Sequence, residues 1–69
     1  MKIKVNGEEK SIKELNKECS LFEVLNQLGF KNKTIIVELN NLIVNHESWH
    51  DRKVKEGDKL EIVSIVGGG

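Results

Sequence analysis

SLFEVLNQLG, residues 20–29, is the stretch from which the fold can be read. Ser20 followed three positions later by Glu23 predicts a capping box, in which the serine hydroxyl accepts from the first free helix amides and the glutamate reaches back to the serine amide. Leu21, Val24, Leu25 and Leu28 recur at i, i+3, i+4 and i+7 and form one apolar stripe. Gly29 can take the left-handed conformation that ends a helix, and Phe30 is placed to fold back on the last turn. A single short helix with one apolar face needs a sheet to cover.

The flanking residues supply that sheet. Upstream, Lys2, Ile3, Lys4 and Val5 alternate as a half-buried strand does. Asn6-Gly7 is a strong hairpin signal, because a type I′ turn needs positive φ at both central residues. A second strand is expected from Glu9 to Ile12. Downstream, TIIVELN (residues 34–40) is β-branched and apolar, with Ile35, Val37 and Leu39 on one face. Asn40-Asn41 reads as a tight turn, and Leu42 to Val44 pairs back. Residues 45–55 read as irregular and polar around Trp49. Glu56-Gly57-Asp58 is a further turn, and the last strand is expected from Leu60 to Val66. The order is strand, strand, helix, strand, strand, strand, with the last strand expected beside the first and parallel to it. The expected class is α+β: a ubiquitin-like β-grasp, with a mixed sheet of four to five strands and one main helix packed on one face.

Sixty-nine residues make one domain. A chain of this size buries only ~60% of its unfolded surface. One cysteine cannot form an internal disulfide, and no Cys/His spacing fits structural zinc. Cys19 reads as a small semi-buried side chain. Eleven Lys+Arg balance eleven Asp+Glu, which argues against nucleic acid or an anionic membrane as partner. Mean hydropathy is −0.38, and no apolar run approaches the ~20 residues of a membrane span. The first residues, MKIKVNGEE, turn polar too soon for a signal peptide. A reduced, cytoplasmic setting is expected.

His46-Glu47-Ser48-Trp49-His50 matches H-E-x-x-H, a zinc-protease pattern when it lies on a helix. Here it lacks an amphipathic stripe, sits between short strand signals, and has no third ligand nearby. The expectation is a surface loop with Trp49 packed beneath it, and no metal site.

The last residues, IVSIVGGG (62–69), divide in two. Leu60 and Ile62 face the core, so Val63 and Ile65 point outward and form a candidate docking patch. Residues 1–66 are the expected domain, and 67–69 a flexible glycine tail. Three glycines extend ~10 Å at ~3.3–3.6 Å per residue, and without Cβ atoms they fit a narrow slot. Such a tail suits a terminal carboxylate that is itself the reacting group. A carboxylate becomes a competent electrophile only once an oxygen is converted to a leaving group, as in an acyl-adenylate that sulfur then attacks.

The capped helix, the Glu-Gly-Asp turn, the alternating last strand and the closing Gly-Gly together resemble the thiamine sulfur carrier family, ThiS. The likeness runs over the whole chain. It implies that Gly69 carries the working carboxylate and that Gly67 and Gly68 thread partner active sites. It further implies an ATP-dependent adenylating enzyme (ThiF-like), a sulfur donor and a thiazole synthase (ThiG-like) as partners. The carrier would be a protein co-substrate, not an enzyme, and would bind no cofactor itself; ATP belongs to the partner. Two alternatives stay open on the sequence: the small sulfur-carrying subunit of molybdopterin synthase, and a non-covalent β-grasp interaction module.

Overall fold

Asn6 and Gly7 both take positive φ, 51° and 85°, which matches the twist of the strands they join. The computed structural model describes residues 1–13, 19–30 and 34–64. In it β1 (Lys2–Val5) pairs antiparallel with β2 (Glu8–Ser11). The second strand starts and ends one residue earlier than the sequence predicted. Ile12 leaves it and turns into the core, while its N–H donates to the Met1 carbonyl (2.7 Å) and its carbonyl accepts from the Met1 ammonium (2.9 Å).

The second hairpin uses the same device. Asn40 and Asn41 take φ of 52° and 73° between β4 (Ile35–Leu39) and β5 (Leu42–Val44). Asparagine tolerates this region because its short amide bonds locally. The Asn40 amide accepts from the Lys59 N–H (3.0 Å) and donates to Asp58 Oδ1 (3.1 Å). Asp58 is buried and also accepts from the Lys55 N–H (2.9 Å), which closes the turn around Gly57.

The last described strand, β7 (Lys59–Ser64), runs parallel to β1 and antiparallel to β4. The sheet order is β2-β1-β7-β4-β5. First and last strands are thus central neighbours, and one helix, α1 (Leu21–Leu28), packs on one face. This is the mixed, five-stranded β-grasp.

The helix carries its predicted caps. Ser20 Oγ accepts from the Glu23 N–H (3.1 Å); the reciprocal bond from the Glu23 carboxylate is absent among the described residues. Gly29 takes φ of 93° and donates to Asn26, while Phe30 donates to Leu25 at 2.9 Å, the paired bonds of a Schellman end. The amides of Leu21 and Phe22 donate to the carbonyls of Arg52 and Trp49, so the loop after β5 helps to cap the helix.

That loop has more order than its composition suggested. It holds a 3₁₀ turn (His46–Ser48) and β6 (Lys53–Val54), which pairs with β3 (Cys19–Ser20). Two-residue strands have no period to read; their pairing follows from burial of Cys19 against Val54. Trp49 lies in the core and donates Nε1–H to the Val44 carbonyl at 3.0 Å. Leu21, Val24 and Leu25 meet Ile3, Val37 and Leu60 in the centre of one cluster, with Leu28 and Phe30 half-buried at its margin.

Candidate functional site: the outer sheet face and the end of the last strand

Only one face of the sheet is covered by the helix, so alternate residues of β1, β4 and β7 face away from it. On β7, Leu60 and Ile62 are buried, while Lys59, Val63 and Ser64 are exposed and Glu61 is half-exposed. Val63 keeps 58% of its surface in water. It therefore points away from the helix, as the alternation requires. Ile65, the other residue expected on this patch, lies outside the described residues, as do Val66, Gly67, Gly68 and Gly69.

Val63 does not stand alone. Ile36 of β4 lies directly opposite it and is 40% exposed, and Ile43 of β5, 65% exposed, extends the patch toward the sheet edge. Neither isoleucine was singled out from the sequence. The signal was present in TIIVELN: if Ile35 and Val37 face inward, Ile36 cannot. What the sequence lacked was the register that sets Ile36 beside Val63.

The end of β7 is held from both sides. Toward β4, Ser64 pairs with Ile35. Toward β1 the neighbouring strand has already ended at Val5, and the Asn6 side chain takes its place. Asn6 Oδ1 accepts from the Ile62 N–H (2.7 Å), and Nδ2 donates to the Ile62 carbonyl (3.2 Å). The backbone N–H of Asn6 donates to Leu60 (2.9 Å). One amide thus continues the ladder where the backbone cannot, and the last described residues leave a sheet braced on both edges.

The H-E-x-x-H residues are arranged differently from a zinc site. His50 stacks on Phe22 with ring centroids 4.0 Å apart, whereas His46 meets the edge of Trp49 at 6.1 Å. The motif lies on a short 3₁₀ turn and the residues after it, so the two imidazoles are drawn to different aromatic partners. Among the described residues no three His, Cys, Asp or Glu side chains are grouped to share a metal ion. Cys19 is buried. No helix among the described residues is long and apolar enough to cross a membrane.

The family model of the ThiS family matches residues 3–69, spanning both the sheet and the closing glycines. The chain belongs to the ThiS family. The sulfur carrier protein ThiS of Bacillus subtilis is 33% identical over 67 residues, covering 97% of this chain and 98% of that one. A thiazole synthase of Paramagnetospirillum magneticum is 38% identical over all 69 residues; the chain spans 20% of that protein's length. The crystal structure of a thiamine biosynthesis protein (ThiS) from Geobacter metallireducens matches with a TM-score of 0.81 at 28% identity, over the whole of both chains. The family is that of the small sulfur carriers of thiamine biosynthesis, and the ubiquitin-like β-grasp read from topology agrees with this ThiS structure.

Proposed function

We propose that this ThiS-family chain carries sulfur on its terminal carbonyl, with residues 1–66 as an inert domain and Gly67, Gly68 and Gly69 as the working tail. The family match through residue 69, closing glycines included, carries the reading. An ATP-dependent adenylating enzyme (ThiF-like) binds the carrier, and a Gly69 carboxylate oxygen attacks the α-phosphorus of ATP. Pyrophosphate leaves and an acyl-adenylate forms. Hydrosulfide from a sulfur donor adds to the carbonyl, and AMP departs with the bonding pair. The product is a thiocarboxylate, which a thiazole synthase (ThiG-like) consumes. The carrier supplies no acid, base, metal or cofactor, and so acts as co-substrate and not as enzyme. Its setting is the cytoplasm.

Val63, together with Ile65, is the proposed docking point for the adenylating enzyme. Val63, exposed near the end of the last described strand, offers the enzyme an apolar contact close in sequence to the glycines it must take up. The resemblance of the whole chain to one-fifth of a thiazole synthase supports that enzyme as the sulfur acceptor.

The test is intact mass. Incubation with adenylating enzyme, ATP and sulfide should raise the mass of the chain by the difference between a sulfur and an oxygen atom. Removal of Gly69 should abolish the gain and leave the fold intact. A truncated chain that still gains sulfur, or an intact chain that stays unchanged beside an active enzyme, refutes the assignment.

A further inference from the structure

Asn6-Gly7 is the one asparagine–glycine step in the chain. Asparagine is a chemically labile residue, and glycine has no side chain to shield the backbone nitrogen that follows it. In the fold both residues are exposed to water, and open space surrounds Gly7 where a side chain would stand. No hydrogen bond engages the Gly7 N–H among the described residues. A nucleophile and water are therefore at hand. The electrophile is held back, because Oδ1 and Nδ2 of Asn6 are both bonded to Ile62, at 2.7 and 3.2 Å. The carboxamide can turn onto the Gly7 nitrogen only by giving up both bonds.

The second hairpin supplies an internal comparison. Asn40 has nearly the same φ as Asn6, 52° against 51°, and its carboxamide is also held twice, by the Lys59 N–H and by Asp58. Its follower is Asn41, whose side chain crowds the backbone nitrogen. The two turns share conformation and anchoring and differ in the nucleophile.

We propose that Asn6 is a site of spontaneous deamidation, gated by the end of β7. When the strand end opens and Ile62 lets go, the Gly7 nitrogen gives up its proton and attacks Asn6 Cγ. A C–N bond forms, Nδ2 leaves as ammonia with that proton, and a five-membered succinimide closes. Water then adds to one of the two ring carbonyls and breaks the C–N bond there. Opening at Cγ leaves aspartate; opening at the backbone carbonyl leaves isoaspartate. One water enters and one ammonia departs, and no oxidant or reductant is needed.

Either product keeps the strand end loose. A carboxylate only accepts, so aspartate sets an oxygen against the Ile62 carbonyl where Nδ2 had donated. Isoaspartate routes the main chain through Cβ and lengthens it by one carbon, which a two-residue turn cannot absorb in register. The change is one-way, and it records how often the end of β7 has opened.

The test uses the full chain and its Val63→Gly variant at mildly alkaline pH, in buffer and in guanidinium chloride. Intact mass follows the replacement of NH₂ by OH, and peptide mapping assigns the position. The Ile62 N–H is itself the donor to Oδ1, so its exchange with solvent reads the gate directly. In denaturant Asn6 should deamidate well ahead of Asn40 and the other asparagines. In buffer it should be at least about 5-fold slower, since two such hydrogen bonds hold the closed state. Val63→Gly loosens the strand without touching the turn. It should speed Ile62 exchange and deamidation in buffer by the same factor, and leave the rate in denaturant unchanged. Equal rates in buffer and denaturant overturn the gate, as does a Val63→Gly chain in which Ile62 exchange quickens and Asn6 deamidates as before. An Asn6 that outlasts Asn40 in denaturant overturns the site. None of these readouts depends on sulfur loading.

Discussion

Replacing Asn6 tests how the end of β7 is held. Its side chain makes two hydrogen bonds to Ile62, one as acceptor and one as donor, and its backbone sits at φ of 51°. Two partly buried hydrogen bonds contribute about 1–3 kcal/mol net. A left-handed φ costs alanine about 1–2 kcal/mol more than glycine or asparagine. Asn6→Ala should therefore destabilise the fold by about 2–5 kcal/mol, against a total of about 3–10 kcal/mol for a domain of this length. Asn6→Gly should lose only the hydrogen-bond share, and Asn6→Asp should keep the acceptor but set an oxygen against the Ile62 carbonyl. Urea unfolding followed by the fluorescence of buried Trp49, the chain's single tryptophan, gives the three free energies. Amide exchange at Ile62 reports the local effect. If Asn6→Gly stays within about 0.5 kcal/mol of the native chain, or the Ile62 amide exchanges no faster in it, the bracing role assigned to this side chain is wrong.

Gly29→Ala meets no steric obstacle, since a Cβ there has open space, but it forces alanine to φ of 93°; a loss of about 1 kcal/mol, read as a lower urea midpoint at unchanged slope, is expected. Asp58→Ala leaves the Lys55 N–H and the Asn40 amide without their acceptor, and should cost about 2–4 kcal/mol by the same measurement; a near-neutral result would show that water replaces the carboxylate. Val63→Asp lies on the open face and should change stability by less than about 1 kcal/mol, while weakening adenylating-enzyme binding in a titration; a large stability loss with unchanged binding would contradict the docking role.

The legible part of this protein was local. Ser20, the i, i+3, i+4, i+7 leucine and valine stripe and Gly29 specify a helix because capping and amphipathicity involve residues within one or two turns. Asn6-Gly7 specifies its hairpin for the same reason: the turn's positive φ values are a property of those two residues. Asn40-Asn41 reads similarly. The poor period of β2 also has a local cause, since all four of its residues are exposed at the sheet edge and none reports a buried face. The H-E-x-x-H match shows the limit of short motifs, because the pattern names residues and the 3₁₀ turn decides where their rings go.

By itself, then, the sequence determined the helix, the two Asn-containing turns, and the inward and outward sides of β1, β4 and β7. Tertiary structure alone decided that Ile36 and Ile43 join Val63, that Glu38 faces Glu61 and Lys4 faces Lys59, that Asn6 braces Ile62 from 56 positions away, and that β3 and β6 meet. The physical reason is register. A strand's alternation fixes which side a residue takes, but its neighbour across the sheet is set by how distant segments align, and that alignment is written in the packing of the core and not in either segment.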